Sequence, residues 1–103
     1  MKAYSYYEFF KNLSNRTRFK IIIALRDQSL NVSAIASFIG EEQSKVSHNL
    51  KKMSACHILN IERRGKERIY SLNRDTIIPI LNIVERHVKK NCSRGCNKQK
   101  VVL

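Results

Sequence analysis

Tryptophan is absent from this chain of 103 residues, proline occurs once, and glycine and cysteine occur three times each. Glycine this sparse excludes a collagen-like repeat or a glycine-rich linker. Gly40, Gly65 and Gly95 also stand too far apart to form a loop that cradles phosphates. Three cysteines, Cys56, Cys92 and Cys96, do not build a disulfide framework and suit a reducing compartment. Acids are scarce as well, eight Asp and Glu against 20 Lys and Arg, which leaves a net charge of +12. The longest apolar runs, such as Ile21 to Leu25, fall far short of the roughly 20 residues of a membrane helix. The opening residues Met1 to Glu8 lack the apolar stretch of a signal peptide, so the expectation is a cytosolic protein. No nucleophile stands beside a plausible base and no carboxylates pair at useful spacing, so an enzyme is not expected.

What remains is an ordinary globular balance, 43% apolar and 27% charged, in a chain long enough for one domain. Positive charge in such excess strains a compact chain by self-repulsion and points to a polyanionic partner, with nucleic acid the first choice.

Tyr6, Phe9, Phe10 and Leu13 recur at helical spacing and predict an amphipathic helix from about Tyr4 to Leu13 with an aromatic stripe. Ser14 or Asn15 can cap a second helix to about Gln28, with Phe19, Ile22, Ile23 and Leu25 as core. Residues 31–40 read as a two-turn helix with Ser33 as N-cap, Ile35, Phe38 and Ile39 on one face, and Gly40 as a left-handed stop. A helix from about Gln43 to Ala55 places Val46, Leu50 and Met53 on one face. Ser44, His48 and Lys51 then lie on the opposite face, flanked by Lys45, Ser47 and Lys52, with no acid among them. A short helix, a glycine-bearing turn and a second helix with a polar, basic outer face form the helix-turn-helix pattern, whose second helix enters the DNA major groove.

Two alternating runs, Ile58 to Arg63 and Arg68 to Leu72, flank Arg64-Gly65-Lys66-Glu67 and predict a hairpin carrying Arg63, Arg64, Lys66 and Arg68. A basic hairpin next to the recognition helix is a wing. Asp75 or Thr76 can cap a last helix with an apolar stripe of Ile77, Ile80, Leu81, Val84 and Val88, and Pro79 falls near its first turn. So small a chain cannot cover both this stripe and the first helix's Tyr6, Phe9 and Phe10, which predicts a homodimer through the first and last helices. The fold class is thus mainly α with a small β-hairpin, a winged helix-turn-helix over residues 1–90. The basic, cysteine-containing segment 91–103 is expected to be a flexible tail.

Three ordered segments resemble the ArsR/SmtB family of small winged-helix repressors, over about Phe9 to His87. Residues 13–21, Leu-Ser-Asn-Arg-Thr-Arg-Phe-Lys-Ile, resemble the family's opening helix start. Residues 43–53, Gln-Ser-Lys-Val-Ser-His-Asn-Leu-Lys-Lys-Met, are similar to its recognition helix with the Ser-His pair, and residues 63–72 to its wing. The resemblance implies a dimer that binds an imperfect inverted repeat in an operator and releases it on binding an inducer, often a metal ion. Two departures stand out. The family's Cys-x-x-Cys-like motif at the first helix of the helix-turn-helix is replaced by Asn31-Val32-Ser33-Ala34. Of the positions matching the family's last-helix site, Arg74, Thr76, His87 and Lys90, only His87 keeps a ligand, too few for a tetrahedral zinc site.

Gln43, Ser44, Ser47 and His48 are the candidate base-reading residues, while Lys45, Lys51, Lys52, Arg63, Arg64, Lys66 and Arg68 are candidates for phosphate neutralisation. Cys92 and Cys96 stand four residues apart and could share a thiophilic ion such as zinc or arsenite, with His87 joining only where the helix breaks. Their basic surroundings favour a reactive thiolate, so thiol oxidation could act instead of a metal, and the alternative to both is a frayed tail on a regulator with no metal sensing. Cys56 is expected to be buried at the wing's root, and His57 to be a helix-end residue. The rival to a sequence-specific regulator is a protein that coats DNA through charge alone.

Overall fold

The computed structural model describes residues 3–92. The chain divides into two compact units, 1–72 and 73–103.

In the first unit α1 (Ala3–Leu13) is followed by α2 (Arg16–Leu25), α3 (Val32–Ile39), α4 (Gln43–Ala55) and the strands β1 (Leu59–Arg64) and β2 (Glu67–Leu72). Asn15, in extended backbone, caps α2 by accepting from the Arg18 amide at 3.2 Å, while Ser14 Oγ donates back to the Lys11 carbonyl and closes α1. The buried face of α2 consists of Thr17, Ile21, Ile22, Ala24 and Leu25. Phe19 and Ile23, expected in the core, remain 37% and 43% exposed. From Phe19 to Leu25 only Lys20 is polar, so spacing alone cannot choose which side of the helix is buried.

The cap of α3 is Asn31 rather than the expected Ser33: Asn31 Oδ1 accepts from the Ala34 amide at 2.8 Å. Asn31 precedes the helix in extended backbone, whereas Ser33 already lies in its first turn and donates to Gln43 Oε1 at 3.5 Å. Ile35 is buried and Ile39 half-buried, but Phe38 is 62% exposed and does not share their core face. Gly40 ends α3 at φ +69°, in the left-handed region the stop requires.

Val46, Leu50 and Met53 of α4 are at most 1% exposed, as their spacing predicts. The helix ends in a Schellman motif, with the His57 amide on the Ser54 carbonyl and the Ile58 amide on the Met53 carbonyl, both at 3.0 Å. Ile58 and Met53, the hydrophobic pair that goes with this motif, are both 1% exposed. Cys56, expected to be buried, is exposed instead, because it sits at the C-cap while Ile58 takes the inward position.

The strands pair antiparallel from Leu59 with Leu72 to Arg64 with Glu67, leaving the two-residue loop Gly65-Lys66. Gly65 adopts φ +63° at the first loop position, where a type II′ hairpin takes glycine. Leu30 and Tyr70 exchange both backbone bonds, at 3.1 and 2.8 Å, and fasten the hairpin to the segment before α3. Ile21, Ile35, Val46, Leu50, Met53, Ile58 and Leu72 are the largest fully buried side chains of the core of this unit, each worth roughly 1.5–3 kcal/mol by burial.

The second unit holds α5 (Ile77–His87) and a π turn, Val88–Cys92. Neither Asp75 nor Thr76 caps α5 with its side chain. Asn73 instead closes the turn that leads into α5, its Oδ1 accepting from the Asp75 and Thr76 amides at 2.9 and 3.3 Å. Ile77 is buried in the single chain and so leaves the expected exposed stripe. Ile80 and Leu81 are half-buried, and Val84 and Val88 are exposed together with Ile83, which the stripe did not include. Of the expected tail, Asn91 and Cys92 lie in the π turn and residues 93–103 lie outside the described residues.

Candidate nucleic-acid interface

The turn Gly40-Glu41-Glu42 delivers α4 with Gln43, Ser44, Lys45, Ser47, His48, Lys51 and Lys52 all exposed. Its inner side holds Val46, Leu50 and Met53, so the polar face points outward for the reason read from the sequence: burial of the apolar stripe leaves it nowhere else. No acid lies on α4.

The same turn contains an acid that sequence reasoning passed over. Glu41, its side chain 16% exposed, receives the Lys45 ammonium at 3.1 Å, the Lys20 ammonium at 3.6 Å and the Thr17 hydroxyl at 3.1 Å. The bond from Lys45 leads in holding its carboxyl below the usual range, aided by Thr17 and the charges of Lys45 and Lys20, against a desolvation that pushes the other way. Glu41 thereby ties the turn to α2, and it engages one of the lysines expected to neutralise phosphate.

A second tie reaches the middle of α4. Arg18 Nε donates to Asn49 Oδ1 at 3.0 Å, and Arg18 Nη1 donates to Asn12 Oδ1 at 2.7 Å. Asn49 Nδ2 donates to the Lys45 carbonyl at 2.9 Å, and Asn12 Nδ2 donates to Cys56 Sγ at 3.5 Å. Asn49 is only 7% exposed. The signal was present in the sequence: Asn49 lies between Val46 and Met53 on the apolar phase of the helix, where a polar residue needs a partner. The partner, 31 residues away, could not be read from spacing.

In the wing Arg63, Arg64, Lys66 and Arg68 are all exposed. Arg64 pairs with Glu62 at 3.4 Å, an exposed contact of small energetic weight. Arg63 and Arg68 lie directly opposite each other, on the face that carries Tyr70 and Leu72 nearer the core. Like charges so placed repel and cost the hairpin stability, which a polyanion would relieve. Asn31 Nδ2 donates to Glu67 Oε1 at 2.9 Å, linking the cap of α3 to the wing. Between them opens a cleft of about 360 Å³ lined by Ser33, Ser47, Lys66 and Arg68 among others. Ser47 of α4 and Lys66 and Arg68 of the wing thus line one cleft, together with Glu67.

The metal-site residues gather less. Among the described residues no three His, Cys, Asp or Glu side chains come together. His87 Nδ1 lies 3.3 Å from Asn91 Nδ2, both on the exposed side of the helix end. Cys92 is half-buried, and Cys96 lies outside the described residues. No helix among the described residues is long and apolar enough to cross a membrane.

Comparison with known proteins agrees with this geometry. Residues 15–60, from the cap of α2 into β1, match the family described as bacterial regulatory protein, arsR family. The chain is 27% identical over 84 residues to the transcriptional repressor SmtB homolog of Synechocystis sp. (strain ATCC 27184 / PCC 6803 / Kazusa), covering 82% of this chain and 64% of that one. It is 37% identical over 60 residues to the HTH-type transcriptional regulator NmtR of Mycobacterium tuberculosis (strain ATCC 25618 / H37Rv), covering 58% of this chain and 50% of that one. The chain therefore spans less than two thirds of the length of these two relatives. The solution structure of apo-NmtR superimposes with a TM-score of 0.76 at 26% identity, over 96% of this chain and 82% of that one. The homodimeric winged helix-turn-helix DNA-binding domain Mb0332 of Mycobacterium bovis superimposes with a TM-score of 0.75 at 20% identity, over 87% and 83%. The fold is a winged helix-turn-helix.

Proposed function

We propose that this chain, which belongs to the ArsR family of bacterial regulatory proteins, is a cytoplasmic, homodimeric repressor of transcription that binds an inverted-repeat operator. It is a DNA-binding protein and not an enzyme. The observation that carries the reading is the acid-free outer face of α4, with Ser44, Ser47 and His48 exposed beside Lys51 and an adjacent wing of unpaired Arg63 and Arg68. Ser44, Ser47, His48 and Gln43 read base edges in the major groove, where short donors and acceptors distinguish base pairs. Lys45, Lys51, Lys52 and the wing cations Arg63, Arg64, Lys66 and Arg68 neutralise phosphates and supply affinity without sequence information. Two recognition helices related by a two-fold axis engage major grooves about 34 Å apart. The dimer is held by the uncovered apolar residues of α1 and α5.

Release of the operator by a thiophilic ion or by thiol oxidation rests on Cys92 and Cys96, which stand among basic residues.

The test is fluorescence anisotropy of the reduced protein on a duplex it selects from random DNA and on a scrambled duplex, with and without zinc or arsenite. His48→Ala should weaken the selected duplex by about tenfold and the scrambled one little. Arg63→Ala should weaken both alike and lower the log-log salt slope by about 1. No selection by the wild-type chain would leave the charge-driven coating of DNA in its place. An ion effect abolished in Cys92→Ser and Cys96→Ser would place the sensor in the tail, whereas indifference to the ion would remove metal sensing and keep the repressor.

A further inference from the structure

We infer that Arg18 is a positioning residue for the recognition helix: braced by Asn12 of α1, its guanidinium holds Asn49 and thereby sets the rotation of α4 about its own axis. This rests on the base-reading role proposed above for the outer face of α4.

Asn49 sits on the inner side of α4, 7% exposed, and both ends of its amide are engaged. The Nδ2 end bonds the Lys45 carbonyl of its own helix, which orients the side chain but fixes nothing outside α4. The Oδ1 end accepts from Arg18 Nε, and this bond does connect α4 to another element. Arg18 in turn is held by Asn12, through Oδ1 at 2.7 Å and the backbone carbonyl at 3.4 Å. One planar fork therefore spans α1 and α4 from its place on α2, with two different nitrogens aimed at two asparagines. Lysine keeps the charge, but its three donors rotate about one atom on a flexible stem, so it does not preset the two directions that the planar fork fixes.

Loss of the fork leaves Asn49 Oδ1 buried without a donor, a costly state that the helix can relieve by rolling Asn49 toward water. The apolar contacts of Val46, Leu50 and Met53 resist a large roll but are not directional. A roll of about 15° moves groups roughly 6 Å from the helix axis by about 1.5 Å. That displacement breaks a base-edge hydrogen bond, which tolerates only a few tenths of an ångström, and hardly changes an attraction between exposed charges. Arg18 therefore acts on discrimination between sequences and not on affinity for DNA in general, although it touches no DNA itself.

The experiment measures binding of the 103-residue chain and the variants Arg18→Lys, Asn12→Ala and the double variant, on the selected and scrambled duplexes, with folding followed by circular dichroism. Arg18→Lys should lose about tenfold or more on the selected duplex and under about twofold on the scrambled one, with the salt slope unchanged. Asn12→Ala should lose about threefold to fivefold on the selected duplex alone. The double variant should match Arg18→Lys, because Asn12 reaches Asn49 only through the guanidinium, its other contact, to the exposed Cys56 Sγ, lying at the end of α4. Equal losses on both duplexes, no loss in a folded Arg18→Lys, or additive losses in the double variant would overturn the inference. Should Arg18→Lys fail to fold, Asn12→Ala decides by the same comparison. A wild-type chain that selects no sequence would instead sink the base-reading role, visible before any variant is compared, and this inference with it.

Discussion

His57 occupies a left-handed backbone conformation, φ +58°, that ordinarily belongs to glycine, and it does so because the Schellman turn at the end of α4 leaves no other geometry for that position. The strain is tolerated since the turn places Ile58 in the core. His57→Gly should raise the unfolding free energy by about 0.5–1 kcal/mol, measured by urea denaturation, and leave DNA affinity unchanged. Glu41 sets an acid limit on stability. Its carboxyl titrates below the ordinary range in the folded chain, so it binds protons less readily folded than unfolded. The stability it contributes is therefore present above the ordinary carboxylate pKa and is lost as pH falls through its lowered folded value. Glu41→Gln should flatten that part of the stability profile on the acid side, as read by urea midpoints from pH 6 down to pH 3. The sequence revealed which residues carry charge, but not that Lys45 and Lys20 converge on this acid across three elements.

At the scale of elements the wing, whose root packs through Leu59, Tyr70 and Leu72, is also tied by hydrogen bonds to the segment before α3. The backbone pair between Leu30 and Tyr70 is indifferent to side-chain identity, whereas the bond from Asn31 Nδ2 to Glu67 depends on it. Asn31 has two tasks, since its Oδ1 caps α3 while its Nδ2 holds the wing. Asn31→Ser should keep the cap and stay within about 0.5 kcal/mol of wild type, yet weaken DNA binding by loosening the wing. Asn31→Ala should lose both and cost about 1 kcal/mol more, in urea unfolding paired with binding to the selected duplex. The existence of all five helices and the hairpin was legible from apolar spacing, from Gly40 and from Gly65. The caps were less so: Asn31 took the position expected of Ser33, and Asn73 closes the turn before α5 where a cap by Asp75 or Thr76 was expected, because any short polar side chain near a helix start can serve and only the backbone conformation selects one.

For the whole molecule the uncovered apolar surface matters most. No residue of α1 is buried, with Tyr4, Tyr6, Tyr7 and Phe10 between 56% and 70% exposed, and on α5 Ile83 and Val84 are 57% and 51% exposed. A chain of this size rarely leaves so many large apolar groups to water unless another chain covers them. Val84→Glu and Tyr6→Glu should each convert a dimer to a monomer in sedimentation equilibrium. Each should also weaken operator binding by more than about tenfold while leaving single-helix contacts intact, because one recognition helix alone cannot span two half-sites. A dimer that persists in both variants would contradict the assigned interface.

The sequence by itself determined the class of fold, the outward face of the recognition helix and the basic wing. These follow from apolar periodicity and charge, both local properties of the chain. Tertiary structure alone decided that Asn49 is a buried anchor, that Cys56 is exposed, that Ile21 replaces Ile23 in the core, and that Arg63 and Arg68 face each other across the hairpin. The physical reason is the same in each case. Which side of an almost wholly apolar helix is buried, and which distant donor satisfies a buried acceptor, depend on elements tens of residues away and become definite only once they have packed.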